Sequence, residues 1–424
     1  MVSDAPKTVP PAASPAAALA EPTQRVRASW TAGVVGVNWG INTVFFAPIN
    51  VLIGLQATAI DAPNKEAILS LVTAFGAFVS LVANPLSGAL SDRTTSRFGR
   101  RRPWVLGGAL VVVVALLIMS GATTVAIMVA GWCLVQAGAN AMYAAIYAAI
   151  PDRVPLEQRG LVGGLAAMGQ TLGILTGAAV GFVIAGNVPF GYLLCAGILV
   201  LSVLVYVFRG DDPALPRDAV GRFEWRKFLA GFWISPVKYP DFGWAWLTRF
   251  LMFVGNQLTI VYLLFFLTDV IQHPDPAGGV LILTGAYAVT VVITTVIAGK
   301  WSDRAGKRRV FVAGSSAMIA CAAVIMAFAP TFPAALVGAV VLGAGFGAYL
   351  AVDFALLTQV LPSSASRGKD LGVINIAASL PQVIAPTLAF LAVTYFGGYR
   401  TMFIVAAAIG LLAAVLVYRI KSVP

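Results

Sequence analysis

An all-α membrane protein is predicted, with twelve transmembrane helices in two pseudo-symmetric six-helix bundles. Three observations lead there. Of the 424 residues, 59% are hydrophobic and only 11% charged, and the mean hydropathy is +0.89, whereas soluble domains carry about a quarter charged residues. Apolar segments of about twenty residues recur along the chain, the length that crosses ~30 Å of hydrocarbon as a helix. A short basic motif occurs once in each half. The alternating ~10-residue pattern of an outer-membrane barrel is absent.

Taken in order, residues 1–27 form a Pro/Ala-rich tail that is expected to be disordered. It lacks the basic start, apolar stretch and cleavage site of a secretory signal. The first bundle covers 28–208, with spans near 29–55, 65–90, 104–121, 124–150, 160–186 and 189–208. Residues 209–241 interrupt the series with mixed charges, among them Arg209, Asp211, Asp212, Arg217, Asp218, Glu224, Arg226 and Lys227. This is the expected linker between halves, and its part over 223–238 mixes aromatics with bases as a segment lying on a membrane surface does. The second bundle covers 242–424, with spans near 242–268, 277–299, 310–329, 333–360, 370–396 and 399–418. Short turns at 121–124 and 330–333 make neighbouring spans antiparallel. In span 5, Gly173, Gly177 and Gly181 share one helix face, which favours close helix packing. Gly343, Gly345 and Gly347 do not share a face and are expected to loosen span 10. Pro48, Pro85, Pro381 and Pro386 each remove a backbone donor, so kinks are expected there.

The net charge of +11 does not point to nucleic acid, because the basic residues fall in alternate loops, as cytoplasmic loops do. Of the 28 lysines and arginines, only Lys65 and Arg400 fall in loops of the other side and only Arg249 within a span. Both termini are therefore expected in the cytoplasm and the chain in the cytoplasmic (inner) cell membrane, with lipid around it. Cys133, Cys195 and Cys321 lie far apart within apolar spans, with no disulfide framework or metal spacing. His273 is the single histidine, so a histidine-based metal cluster or triad is excluded. No stretch pairs a nucleophile with a base, and neither an enzyme nor a cofactor is expected. A monomer is expected.

The basic motif reads Gly88-Ala-Leu-Ser-Asp92-Arg93-Thr-Thr-Ser-Arg97-Phe-Gly99-Arg100-Arg101-Arg102-Pro103-Trp104 in the first half and Gly299-Lys-Trp-Ser-Asp303-Arg304-Ala-Gly306-Lys307-Arg308-Arg309 in the second. A second echo places Pro155, Arg159 and Gly160 after span 4, and Pro362, Arg367 and Gly368 after span 10. The doublet resembles the motif between helices 2 and 3, and 8 and 9, of the major facilitator superfamily. The wording of its first copy resembles the glycoside–pentoside–hexuronide cation symporters, and the plant-type sucrose transporters are similar. The resemblance covers nearly the whole chain beyond residue 28 and implies the major facilitator fold, with a solute site near the midplane where two halves meet and rock. It also implies a gating role for Asp92, Arg93, Arg100, Asp303 and Arg304: the aspartates accept from a helix N-terminus of the opposite half, and Arg93 pairs with an acid such as Asp152. Plain surface solvation is the alternative reading of these charges.

Polar residues inside spans cost free energy unless they face the protein interior or a wet cavity. In span 4, Gln136, Asn140, Tyr143 and Tyr147 share one helix face, as do Asn375, Ser379 and Gln382 in span 11. Span 1 offers Asn38 and Asn42 beside Trp39, span 2 offers Ser80, Asn84 and Ser87, span 7 offers Asn256 and Gln257, and span 8 offers Tyr287. Amides and hydroxyls flanked by rings suit a sugar, whose hydroxyls need donors and acceptors together. The competing reading is that such groups bind helices to one another. Asp353 in span 10 has apolar neighbours, with Tyr349 one turn away and Arg249 the one cation within a span. Two roles fit it: a proton carrier, or a static pair with Arg249. In melibiose-type carriers of the symporter family the sodium ligands are aspartates of helices 2 and 4. Those positions align here with Ser80, Asn84 and Tyr143, and the sucrose transporters' helix 4 aspartate aligns with Gln136, while Asn140 matches their asparagine. The family's sodium site is thus not expected, which leaves proton coupling through Asp353 or facilitated diffusion.

The resulting expectation is a secondary active transporter that moves a sugar or glycoside by alternating access with a coupling proton. Proton-driven efflux of amphipathic molecules is the first alternative, and a transporter-like sensor that moves nothing is the second.

Overall fold

A computed structural model of the chain describes residues 22–184, 186–209, 212, 214–215, 237–328, 331–360 and 367–422. The tail over 1–21 and the linker segment 216–236 lie outside the described residues. The described residues form helices joined by short loops. Span 1 runs from Ala28 to Ile60, span 2 is Lys65–Ser91, span 3 Arg102–Ser120, span 4 Val125–Arg153, span 5 Leu156–Val183 and span 6 Val188–Arg209. Span 7 consists of Pro240–Val261 and Leu263–Asp269, bent by 40° at Tyr262. Span 8 is Pro276–Ala305, span 9 Arg308–Phe328, span 10 Phe332–Val360, span 11 Arg367–Tyr395 and span 12 Gly398–Leu416.

Local chemistry sets several ends. Thr124 opens span 4 by accepting from the Ile127 N–H at 3.4 Å, and Asp275 opens span 8 by accepting from the Gly278 N–H at 2.9 Å. Such side chains satisfy amides that have no partner within the helix. Gly306, at φ +63°, closes span 8 in the left-handed conformation that glycine adopts without steric cost.

The prolines behave unequally. Pro48 starts a five-residue π-helical segment, Pro48–Leu52, inside span 1, whereas the α-helix runs on through Pro85, Pro381 and Pro386. The break in span 7 comes at Tyr262, with no proline or glycine to announce it.

Glycine contacts fix the packing inside each half. An added Cβ on Gly173, Gly177 or Gly181 would lie 2.5–2.7 Å from span 1 atoms, so spans 1 and 5 meet backbone to backbone. The loosening expected at span 10 is not found. The span is continuous helix, Gly343 and Gly347 press on main-chain atoms of Tyr287 and Val291 in span 8, and Gly345 presses on span 9. These three glycines serve close approach on two faces.

Span 2 packs on span 11, and span 5 on span 8, which makes two seams between the halves. The buried apolar side chains form two clusters. The larger fills the first half and continues into Val254–Leu267 and Tyr399–Ala407 of the second. The smaller, from Phe242 and Met252 to Val312, Tyr349 and Ile420, stays within the second half near the arginine-rich loops. Buried apolar packing is therefore continuous between halves at the end carrying Lys65, away from those loops.

Candidate functional site

Three polar assemblies emerge. The first is the arginine-rich loop before span 3. Arg101, 2% exposed, donates to Asp152 at 2.8 Å and Asp92 at 2.6 Å, and also to the Ser91 hydroxyl. Arg100 adds weaker pairs with Asp92 at 3.2 Å and Asp152 at 3.5 Å. Burial pulls the Arg101 pKa down, but the charges and hydrogen bonds of Asp152, then Asp92, outweigh it and hold it above the ordinary arginine value. The sequence points to Arg93 as the partner of Asp152 and to a helix N-terminus of the opposite half as the partner of Asp92. In this structure Arg100 and Arg101 of the same half hold both acids. Arg304 of the second copy is exposed, and the Asp303 side chain lies outside the described residues.

Arg101 stands first among the residues that sequence reasoning missed. What selects it within a run of three arginines is the turn before it. Gly99 adopts φ +105°, and a Cβ there would lie 2.3 Å from Asp212. That aspartate, just beyond span 6, accepts from the Arg101 and Arg102 backbone N–H groups at 2.7 and 2.6 Å. Asp212 thus caps span 3 from a distant part of the chain, where the helix dipole also favours a negative charge. Asp212→Ala is expected to cost about 1–2 kcal/mol, read as a lower melting temperature, and Asp212→Asn to recover much of it, since the amide oxygen accepts the same two N–H groups.

The second assembly lies in spans 1, 2 and 4. Asn140 accepts from Ser80 and Asn84, both at 3.2 Å, and donates to the Gln136 side chain at 3.1 Å. Its groups are spent joining span 4 to span 2. Asn38 and Asn42 donate back into their own helix, to Val34 and Asn38 carbonyls at 2.9 and 2.8 Å. The Asn38 Oδ1 has no hydrogen-bond partner although the residue is fully buried. Tyr143 and Tyr147 stack at 4.7 Å between ring centroids.

The third assembly lies in spans 7, 8 and 10. Arg249 pairs with Asp353, and Tyr349 donates to the other oxygen of the same carboxylate at 2.5 Å. The Arg249 guanidinium sits over the Phe253 ring at 5.1 Å; the Phe346 ring touches those of Phe253, Tyr349 and Tyr287, and Phe253 also touches Tyr349. Tyr287 donates to Asn256 at 3.3 Å. Gln257 is half-buried and Gln382 exposed, and the Asn375 side chain lies outside the described residues. Counted from the helix ends, Tyr143, Arg249 and Tyr349 all lie about 15 Å in from the arginine-rich end, at 1.5 Å per residue. Tyr143 of the first half and Arg249 and Tyr349 of the second therefore lie at a similar depth. Among the described residues no group of three His, Cys, Asp or Glu side chains could hold a metal ion.

Apolar spans in two packed halves, with polar and charged groups buried between their ends, define the class: a polytopic membrane transporter. The Major Facilitator Superfamily profile matches residues 28–283 and 276–424, and the chain belongs to that superfamily. An uncharacterized MFS-type transporter of Bacillus subtilis is 24% identical over 89% of this chain and 94% of its own length. Myo-inositol transporter 3 of Cryptococcus neoformans is 27% identical over 34% of this chain, and sucrose transport protein SUT1 of Oryza sativa subsp. japonica 30% identical over 21%. The match spans only 24% and 15% of the length of these two relatives. Among solved structures, a nucleoside transporter superposes with TM-score 0.73 at 12% identity, over 92% of this chain and all of that one. A POT family transporter gives 0.72 at 13%, over 92% of this chain and 95% of that one. At such identities the likeness concerns the fold.

Proposed function

We propose that this transporter moves a sugar or related polyol across the cytoplasmic membrane by alternating access, with a proton as the coupling ion. The observation that carries the proposal is the Arg249–Asp353–Tyr349 cluster, level with Tyr143 of the first half, while Asn42, Asn256 and Tyr287 lie about 6–12 Å further from the arginine-rich end. Rings and hydrogen-bonding groups side by side match a solute with an apolar C–H face and a rim of hydroxyls. The names of the Cryptococcus and rice relatives, which transport myo-inositol and sucrose, support a polyhydroxylated cargo. Asn38 adds an acceptor that nothing among the described residues satisfies, and buried acceptors of that kind seek partners. Gln136 and Asn140 act as the wall behind the site.

In this reading protonation of Asp353 releases Arg249, which keeps its contact with the Phe253 ring, and frees the guanidinium to reorganise with the solute. The arginine-rich loops face the cytoplasm, as their charge bias requires. The two ends of the chain and the linker over 209–241 lie on the same side, and the halves meet as bundles over 28–208 and 242–424. The Arg100–Arg101–Asp92–Asp152 cluster then belongs to the cytoplasmic gate.

A thermal-shift screen of the purified protein against mono-, di- and trisaccharides and inositols is the first test. Stabilisation by one of these, followed by its uptake into vesicles with acidification of the lumen, is the expected result. Stabilisation by amphipathic cations with no response to any polyol would overturn the sugar reading in favour of efflux. Uptake with no movement of protons would overturn the coupling.

A further inference from the structure

At the end opposite the arginine-rich loops, two spans of the second half converge on two consecutive residues of the first. Lys65 binds Asp269 of span 7 at 2.6 Å, with the two side chains 15% and 29% exposed, and lies over the Phe265 ring at 5.0 Å. The Tyr399 hydroxyl of span 12 is 2.8 Å from Asp269 Oδ2 and 3.3 Å from Glu66 Oε1. Tyr262 donates to the main-chain carbonyl of Glu66 at 3.0 Å. Beneath them, Gly54 of span 1 leaves room for Leu264 and Phe265, which lie 3.0 and 3.3 Å from where its Cβ would be. None of these residues stands out in the sequence, although Lys65 does so in one respect: it is one of two cations on the sparsely charged side.

We infer that Lys65, Glu66, Asp269 and Tyr399 form a clasp that holds this end of the transporter shut. Every contact in it joins one half to the other, save that between Tyr399 and Asp269, which orients the carboxylate toward Lys65. Tyr399 is the keystone because one neutral hydroxyl reaches carboxylates from both halves. Separation of the halves here must break the ion pair and both tyrosine contacts together, and must expose Leu264 and Phe265 to water. Other charged groups nearby are engaged elsewhere: Asp61 with Asn64 at 2.8 Å, His273 with Asp275, and Arg400 over the Phe328 ring at 4.5 Å. The clasp is partly exposed, so its strength comes from several modest contacts acting at once, a lone surface pair being worth little.

The inference requires only that the halves separate at this end; it needs no particular cargo, coupling ion or membrane orientation. The test uses the full chain purified in detergent, with Leu264→Cys as a reporter buried beneath the clasp and the native cysteines alone as background. Maleimide labelling of the reporter is expected to be slow in the parent and roughly three- to tenfold faster with Asp269→Asn, Lys65→Gln or Tyr399→Phe, in keeping with a shift in a two-state population. The exchanged pair Lys65→Asp with Asp269→Lys is expected to return the rate to within about twofold of the parent, because an ion pair works in either direction. Parental labelling in Asp269→Asn and Tyr399→Phe would overturn the clasp, as would an exchanged pair that labels as fast as the single changes. Tyr399→Phe preserves shape and charge, and decides the matter if the charge variants fail to fold. Because no solute is present, a failed clasp leaves the sugar reading untouched, and a failed sugar reading leaves the clasp.

Discussion

Asp353→Asn is expected to melt at a lower temperature than Asp353→Asn combined with Arg249→Gln, while both lose uphill accumulation. Arg249 and Asp353 are 12% and 8% exposed, so removal of the carboxylate strands a guanidinium among Phe253, Phe346 and Tyr349. Breaking a buried pair from one side costs about 3–5 kcal/mol, whereas replacing both charges with neutral groups is far milder. The melting order thus reports the pair, and the transport assay reports the proton. Exchange of labelled for unlabelled solute requires no net proton movement, so it should persist in Asp353→Asn, which keeps Arg249. Accumulation at the wild-type level in that variant would make the pair a structural element alone. The double-variant cycle also gives the coupling energy directly, since the two residues touch.

The second large effect is expected at Arg101. Arg101→Leu removes the buried donor shared by Asp92 and Asp152 and should cost about 1–3 kcal/mol, measured by thermal melting. Most of that loss belongs to Asp152, 29% exposed, since Asp92 is 55% exposed and water screens it. Arg101→Lys should recover only part, because an ammonium is a point charge and lacks the planar fork that reaches both acids and Ser91. Arg304→Ala, on the exposed second copy of the motif, should stay within about 0.5 kcal/mol of the parent. Equal melting of Arg101→Leu and Arg304→Ala would remove Arg101 from the centre of the cluster.

The span pattern was legible because hydrocarbon thickness imposes a length and loop charge imposes an alternation; each observed helix lies within a few residues of its expected place. The face of a polar residue was legible as well, since Gln136 and Asn140 do meet, and Arg249 does meet Asp353. What a side chain does once on that face was not. Asn38 and Asn42 lie one turn apart as the spacing requires, yet each amide donates to its own helix, an option open to any asparagine with a carbonyl one turn back. The choice of Arg101 among its neighbours depends on Gly99 and on Asp212, more than a hundred positions away. The bend at Tyr262 carries no proline or glycine signal, and its hydroxyl meets a carbonyl of span 2 that no local pattern announces. Tertiary contacts of this kind leave their trace only in the folded chain.

Tyr262 reaches the peptide oxygen at position 66, where its clasp neighbour Tyr399 reaches the side chain. A tether to the peptide is blind to whichever amino acid occupies that position, so evolution or an engineer is free to rewrite residue 66 without cutting it. The reverse does not hold, for phenylalanine at 262 would sever the tether in any background. Retuning how readily this face of the molecule parts is therefore a matter of the side chains at 65, 66, 269 and 399, while the link from Tyr262 persists through any of those changes.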